Sequence, residues 1–226
     1  MGLLSDQDRE TVRARLAVIR HPVRILFFTQ TIGAPESVYV TKRVIDELVS
    51  LNDHLSVEEV NLVLDRDRAA HYEIEHIPAI VLLRDQEDTR MRFLGAPAGY
   101  EFMSLIEAVV LAGTEDSGLS TTARTLVTQY VTSPLDIRVF VTPTCPHCPR
   151  AVTLAHRLAV ENPLVRASCV EATEFMDLAQ RFNVTGVPKT VVNESIEILG
   201  ALPEDQFVRL VVGAPDQDGD GQELAP

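Results

Sequence analysis

The second half of the chain repeats the pattern of the first half. Residues 181–188 (RFNVTGVP) align without a gap to residues 71–78 (HYEIEHIP), so that Pro188 lies 110 residues after Pro78. In each half an apolar run, a glycine-containing segment and a helical pattern follow the proline. Repetition on this scale indicates one structural unit per repeat. We therefore predict two domains, residues 1–115 and 116–213, followed by an acidic, disordered tail over 214–226.

Hydrophobic periodicity predicts strands that alternate with helices. An amphipathic helix over 5–20 opens the chain, with Ser5 as its N-cap. The order β-α-β-α-β-β-α follows, and it begins with the buried strand at 23–29, which we match to 136–142. The pattern predicts further helices over 38–51, 69–72, 100–112, 121–131 and 150–160. This alternation predicts an α/β fold.

Charge and composition exclude some partners and indicate a compartment. The formal net charge is −13, which argues against nucleic acid or an anionic membrane as a partner. The N-terminal residues carry charges where a signal peptide needs an apolar run, and no stretch approaches the roughly 18 apolar residues of a membrane helix. We therefore expect a cytoplasmic protein. There the three cysteines, Cys145, Cys148 and Cys169, indicate catalysis or metal binding rather than structural disulfides.

The motif Cys145-Pro146-His147-Cys148 carries the chemical prediction. It lies directly after a predicted strand and before a predicted helix, where free N–H groups and the positive end of the helix dipole stabilise a thiolate. Because the thiolate is the attacking species, Cys145 is the predicted nucleophile, and Cys148 is near enough to resolve a mixed disulfide. A positive charge on His147 would stabilise the reduced form and make the disulfide more oxidising.

The alternative is a zinc or iron–sulfur site that uses the same two cysteines. A structural zinc site needs four ligands, and the sequence has no second C-x-x-C pair. We therefore favour redox chemistry, with the disulfide itself as the redox group, no cofactor and no metal. Elsewhere, we expect Cys169 to be a half-buried strand cysteine and His156 to be a packed or surface histidine. Lys189 lies either near the site, where it favours the thiolate, or at the surface.

Val187-Pro188 gives a second signal, because a proline that precedes an apolar strand needs a strand start or a cis turn. Together with these residues, several stretches resemble the protein disulfide oxidoreductases of thermophiles, glutaredoxin-like proteins with two fused thioredoxin folds. The chain is also similar to the tandem N-terminal module of the alkyl hydroperoxide reductase flavoprotein. The matching stretches are Met1-Gly2-Leu3, Ser5-Asp6, 96–99, Glu101-Phe102, 139–149, Ala155-His156 and 187–189.

The resemblance implies two tandem thioredoxin-like domains, each with a central mixed β-sheet between helices. It implies Cys145 as nucleophile, Cys148 as resolving cysteine, and Pro188 as a cis-proline facing them, with the backbone before it pairing with the substrate. The implied partners are protein disulfide substrates and an NADPH-dependent flavoprotein resembling thioredoxin reductase. A dedicated role as electron donor to a peroxiredoxin is the second hypothesis within redox chemistry.

The chain departs from the thermophile family at one place. The segment 31–37, where a first C-x-x-C pair would stand, has no cysteine, and no cysteine precedes Cys145. The first half is therefore predicted to lack dithiol chemistry. The Cys-Pro-His-Cys motif is also the motif of strongly oxidising periplasmic oxidases. In a reducing compartment such a pair would rest mainly as the dithiol and act as a reductase or electron carrier.

Overall fold

The computed structural model describes residues 4–215 and contains eight helices and eight strands in that range. The helices are α1 (Asp6–Leu16), α2 (Glu36–Val49), α3 (Arg66–His71), α4 (Glu101–Thr114), α5 (Thr121–Tyr130), α6 (Cys148–Glu161), α7 (Met176–Arg181) and α8 (Glu204–Val212). The strands are β1 (Val23–Thr29), β2 (Leu55–Asn61), β3 (Ala79–Arg84), β4 (Glu87–Leu94), β5 (Leu135–Val141), β6 (Val165–Glu171), β7 (Lys189–Val192) and β8 (Ile196–Leu199). Within this range no helix is long and apolar enough to cross a membrane.

All eight strands form one mixed sheet in the order β2-β1-β3-β4-β6-β5-β7-β8. Each half contributes four strands with the same pattern: a parallel pair, β1–β2 or β5–β6, and an antiparallel hairpin joined to it. The halves meet where β4 pairs in parallel with β6, with Phe93 opposite Cys169. This pairing covers two edges that would otherwise expose free backbone groups.

Side chains that alternate along the strands form one large core on one face of the sheet and two small cores on the other face. On one face a continuous core spans both halves, and it contains Ile25 and Phe27 from β1 as well as Cys145 and Cys148. On the other face α3 and α7 each cover a small core of their own, around Phe28 and Phe140 respectively. The helix α6, which begins with Cys148, therefore shares its core with α4 of the first half.

The α/β fold and the two thioredoxin-like units are confirmed, with adjustments at the ends of elements. Ser5 caps α1 as predicted, because its side chain accepts a hydrogen bond from the Asp8 N–H. The helix predicted from residue 150 begins at Cys148, so that the second cysteine is its first residue. The match of 23–29 to 136–142 is wrong by one residue. Phe28 and Phe140 are equivalent, since each pairs with the residue that follows the proline.

The predicted domain limits at residues 115 and 213 stay predictions. The main core and the sheet both continue across the junction of the halves. The sequence had not indicated that the two sheets join, because β4 and β6 each mix charged and apolar residues, a composition that suits an edge strand as well as a central one. Most of the predicted tail, residues 216–226, and the matching stretch at residues 1–3 lie outside the described residues.

Candidate active site

The Cys145–Cys148 pair lies in the six-residue loop between β5 and α6 and at the start of that helix. The two side chains form a disulfide bond, and their Cα atoms are 5.5 Å apart. The Cys145 N–H donates to the Thr142 carbonyl at 3.1 Å, which turns the chain immediately before the motif. Cys145 is 8% exposed and Cys148 is fully buried. Of the two cysteines, only Cys145 therefore has surface that a partner protein can contact.

The start of α6 gives this loop its electrostatic character. His147 is the N-cap residue, its side chain makes no capping hydrogen bond, and a proline follows Cys148 in the first turn. The first turn also contains no acidic residue. The free N–H groups and the positive end of the helix dipole are thus uncompensated by a carboxylate, and they favour a thiolate at the cysteines once the disulfide is reduced.

Four residues near the cysteine pair are placed so that a partner protein can approach it: two in the motif itself and two directly before β7. Pro146 and His147 are exposed at the tip of the loop. Pro188 is buried directly before β7, and Val187 before it is half-buried. The peptide bond between them is cis, as is the Ile77–Pro78 bond in the first half. Because Lys189 pairs with Phe140, the register places Pro188 beside the end of β5, where the cysteine loop begins.

The first half reaches this loop through the segment that precedes α4. The Tyr100 N–H donates to the Pro143 carbonyl at 3.0 Å, two residues before Cys145. Gly99 has a φ of +59°, and a Cβ there would collide with the Pro143 carbonyl oxygen. Only glycine satisfies both the left-handed backbone and this close approach. The cysteine-free half therefore forms part of the wall of the active-site loop.

Glu101, the first residue of α4, is a buried acid that sequence reasoning did not single out. Burial raises the pKa of its carboxyl to about 7, while hydrogen bonds from Ser104 and Cys169 lower it and nearby Glu171 raises it. The Ser104 hydroxyl donates to Glu101 Oε2 at 2.7 Å, and the Cys169 thiol donates to the same oxygen at 3.5 Å. Among the described residues Glu101 Oε1 has no hydrogen-bond partner. Such a group changes protonation near neutral pH, which is typical of acid–base residues.

Sequence reasoning missed this role because an acid in the first turn of a helix is ordinarily a solvated partner of the dipole. The matching stretch Glu101-Phe102 belonged to the family resemblance, but nothing in the sequence shows that Glu101 is only 1% exposed. The burial follows from the joined sheet, since the carboxyl lies against β6 of the other half.

The structure decides the position of three further residues. Cys169 is a strand cysteine as predicted, but it is fully buried rather than half-buried. His156 is packed, with its ring against Phe93 at 5.1 Å between centroids. Lys189 is neither beside the thiolate nor at the surface. Its ammonium is buried and donates to the Phe182 carbonyl at 2.6 Å, at the C-terminus of α7 on the opposite face of the sheet.

The metal-binding alternative can be compared with the placement of possible ligands. Within residues 4–215 no three His, Cys, Asp or Glu side chains come together in a way that could hold a metal ion. His21, which lies near two carboxylates, makes a hydrogen bond to Asp85 on the first half, far from the cysteine motif in the topology. The two cysteines of the motif are joined to each other.

Fold and site together define a class: the chain has the thioredoxin fold, and its Cys-x-x-Cys pair forms a disulfide bond at the start of a helix. Residues 135–213 match the family model described as a thioredoxin domain. The resemblance indicated by the sequence, to disulfide oxidoreductases with two fused thioredoxin folds and to the N-terminal part of the alkyl hydroperoxide reductase flavoprotein, is confirmed by the following comparisons.

Two solved structures share the architecture over almost the whole chain. The alkylhydroperoxide reductase component AhpF from Enterococcus faecalis is 25% identical, with a TM-score of 0.85 over 92% of this chain and 99% of that chain. A protein disulfide oxidoreductase from Aeropyrum pernix is 27% identical, with a TM-score of 0.84 over 93% of each chain. A curated relative, NADH dehydrogenase from Ferdinandcohnia aciditolerans, is 25% identical over 76% of this chain and 31% of its own length. The chain thus spans about a third of the length of the curated relatives it matches.

Proposed function

We propose that this chain carries two electrons at a time between a flavoprotein reductase and the disulfide of a partner protein, with Cys145–Cys148 as its redox group. The observation that carries the proposal is the unequal exposure of the two cysteine residues at the start of α6, 8% for Cys145 and 0% for Cys148. An accessible cysteine can form the bond to the partner, and a buried one beside it can release the partner. No other cofactor is needed for this exchange.

The proposed reaction with an oxidised partner has two steps. The Cys145 thiolate attacks one sulfur of the partner disulfide, which forms a mixed disulfide and releases the other partner sulfur as a thiolate. Cys148 then attacks Cys145 Sγ, which forms the Cys145–Cys148 disulfide and frees the second partner sulfur. The partner gains two electrons and two protons, and the chain loses them. A reductase reverses the change by the same exchange.

Glu101 is the proposed proton acceptor for this cycle. Cys148 is buried, so its thiol must lose a proton without direct contact with bulk water before it can attack. Glu101 belongs to the helix that packs against α6, and its pKa of about 7 allows it to accept or return a proton near neutrality. A group with this proton affinity is well suited to general acid–base catalysis.

The surface around the disulfide suits a protein partner. Tyr100, whose N–H donates to the Pro143 carbonyl of the active-site loop, and Met103, one turn further along, are each 49% exposed. Leu199, which pairs with Lys189 and so lies next to Pro188, is 66% exposed. Exposed apolar side chains on both sides of a reactive group are a feature of protein interaction sites. Two of the three belong to the cysteine-free half, which would therefore take part in partner choice.

The relatives support a particular pair of partners. One is named NADH dehydrogenase and another is the alkylhydroperoxide reductase component AhpF. These names favour a reduced nicotinamide nucleotide as the source of electrons, delivered through a flavoprotein that resembles thioredoxin reductase. They favour a peroxiredoxin, oxidised by a hydroperoxide, as the acceptor. General reduction of protein disulfides is the alternative, supported by the likeness to a protein disulfide oxidoreductase.

A single-turnover experiment separates these possibilities. The chain is reduced with dithiothreitol, freed of reductant, and mixed in a stopped-flow instrument with oxidised peroxiredoxin or with insulin. We expect one partner disulfide reduced per chain, and a faster reaction with peroxiredoxin. Equal rates would favour the general reductase, and no transfer to either partner would overturn the proposal. Ala34→Ser, a change in the equivalent loop of the first half, is the matched control and should transfer electrons normally.

A further inference from the structure

The chain's third cysteine contacts the buried acid of the site, although the reaction has no use for its sulfur. Cys169 lies on β6, between Val139 of β5 and Phe93 of β4 in the sheet. Its thiol donates a hydrogen bond to Glu101 Oε2 at 3.5 Å, across the junction of the two halves. It is 3% exposed, so neither solvent nor a partner disulfide reaches it.

Few other groups face this carboxyl. On its own helix Ser104 donates to Oε2 at 2.7 Å. On β6 Glu171 lies near enough to raise the pKa of Glu101, and its own carboxylate accepts hydrogen bonds from the Thr173 and Glu174 N–H groups.

The other helices packed against α4, which are α6 and α1, carry titratable groups of their own. The helix α6 contributes Cys148 and His156, which are both buried. On α1, Arg15 pairs with Glu107 almost two turns further along α4. The Cys169 thiol is therefore the one donor to Glu101 that comes from the second half, among the residues that the structure describes.

The thiol is held in the form that can donate. Burial, and next the negative charge and hydrogen bond of Glu101, raise the pKa of Cys169 well above its usual value. At neutral pH it is thus a protonated S–H group. A hydrogen bond donated to a carboxylate stabilises the ionised form and eases loss of the acid's proton.

We propose that Cys169 is a positioning residue, whose thiol sets the pH at which Glu101 exchanges its proton and hence the pH at which the Cys145–Cys148 dithiol becomes reactive. This inference rests on the proposed function. Cys169 takes part in no disulfide and no mixed disulfide. It acts only through Glu101, as a neutral donor in a site from which water is excluded.

The test follows the reactivity of Cys145 with pH. The fully reduced protein is treated with iodoacetamide between about pH 5.5 and 9, a range that brackets an ordinary thiol and a raised carboxyl, and the rate of Cys145 alkylation is followed by mass spectrometry of the tryptic peptide. Glu101→Gln identifies the inflection that belongs to Glu101, because this variant should lose it. Cys169→Ala lacks the donor that stabilises the ionised carboxylate, so it should move that inflection upward by about half a pH unit or more. One pH unit corresponds to a tenfold change in proton affinity. Cys169→Ser, which keeps a donor, should restore the inflection to the wild-type pH or below.

A control separates this effect from loss of packing. Val170→Ala removes buried apolar volume from the adjacent position of β6, on the opposite face of the sheet, and should leave the inflection in place. If Cys169→Ala does not fold, Cys169→Val removes the donor without loss of side-chain volume and must show the same upward shift.

The inference is overturned if the donor-free variants titrate like the wild type, or if Glu101→Gln removes no inflection. Failure of the wild-type chain to reduce any partner disulfide would instead overturn the proposed function, and the two failures are therefore distinguishable.

Discussion

The two halves of this molecule have the same fold and differ at the two positions of the cysteine pair. In each half a six-residue loop joins the first strand to the following helix. With α2 and α6 superimposed at their first residues, Gly33 stands where Cys145 does and Glu36 stands where Cys148 does. Both halves also keep the proline before the next strand. Under the proposed function, the thioredoxin fold supplies the place for the reaction, and the side chains at these two positions decide whether it occurs.

The comparison also shows what the cysteine-free half retains. Its helix α4 begins with Glu101, its Tyr100 contacts the active-site loop, and its strand β4 completes the sheet beside β6. On the second half alone, the buried acid and the wall at Pro143 would both be missing. We therefore interpret the first half as a working part of one active site rather than a second, inactive copy.

The largest difference in transfer rate between variants of the two halves should come from removing the nucleophile, Cys145. Cys145→Ser should lower transfer to an oxidised partner by about three orders of magnitude or more, because a hydroxyl cannot replace a thiolate as the attacking group. Ala34→Ser in the first half should keep the wild-type rate. Stopped-flow transfer measures both. Comparable losses in the two variants would show that both loops take part in the reaction.

The next largest effect should come from replacing Glu101, the buried acid of the first half that is proposed to act on the cysteine pair of the second half. Glu101→Gln should slow transfer by about 100-fold at neutral pH, which is the lower range for loss of a general acid–base group. The pH dependence should flatten around 7, the pKa that burial gives Glu101 in the wild type. A profile that keeps its inflection in this variant would remove Glu101 from the proton-transfer step.

The same variant has a consequence for stability, with a defined sign. The pKa of Glu101 is raised on folding, so the neutral form is favoured in the native state. The stability that the neutral Glu101 carboxyl contributes is fully present below its pKa in the unfolded chain, and it is lost as pH rises through about 7. Urea unfolding at about pH 5 and about pH 8.5, on either side of that pKa, should therefore show a smaller loss of stability with rising pH in Glu101→Gln than in the wild type. An unchanged difference would mean that the carboxyl is already ionised in the native protein.

A contact between the halves can be broken at Gly99. In Gly99→Ala the new Cβ meets the Pro143 carbonyl oxygen, and the left-handed backbone is strained as well. We expect a loss of about 3 kcal/mol in the free energy of unfolding. Partner reduction should also slow, because the loop before Cys145 must shift. Gly213→Ala is the control, with φ +68° and open space around it; it should cost only about 1–2 kcal/mol and leave the rate intact. Equal losses in the two variants would argue against a tight contact.

The last effect appears only at acid pH and concerns His156, which packs α6 of the second half against Phe93 of the first. Burial lowers its pKa to about 4. The stability it contributes is therefore complete above the unfolded pKa of 6.5 and is lost as pH falls toward 4. The wild type should lose about 3 kcal/mol over this range through His156, and His156→Gln should lose correspondingly less. Identical acid unfolding curves for both proteins would show that His156 can be protonated without cost.

Local features of the fold and the site could be predicted from the sequence. Features that depend on how the two halves pack against each other could not. The repeat at Pro78 and Pro188 and the Cys145–Cys148 spacing depend on residues close together in the chain, and such patterns can be read directly. Glu101 and Cys169 depend on burial by residues that are distant in the chain. Each has an ordinary surface or strand interpretation until the pairing of β4 with β6 brings the two halves together. For Lys189 the missing information was the face of the sheet, since its side chain points toward α7 rather than toward α6.

A trapping experiment tests most directly whether a partner disulfide is attacked only by Cys145 of the second half. In Cys148→Ser the mixed disulfide cannot be resolved, so an oxidised partner protein should remain attached. Mass spectrometry of the trapped complex, without reduction, identifies the attached cysteine. We predict a single stable adduct through Cys145, with none at Cys169 and none in the first half. An adduct through another residue, or no adduct while the wild-type chain reduces the same partner, would contradict the assignment of Cys145 as the point of attack.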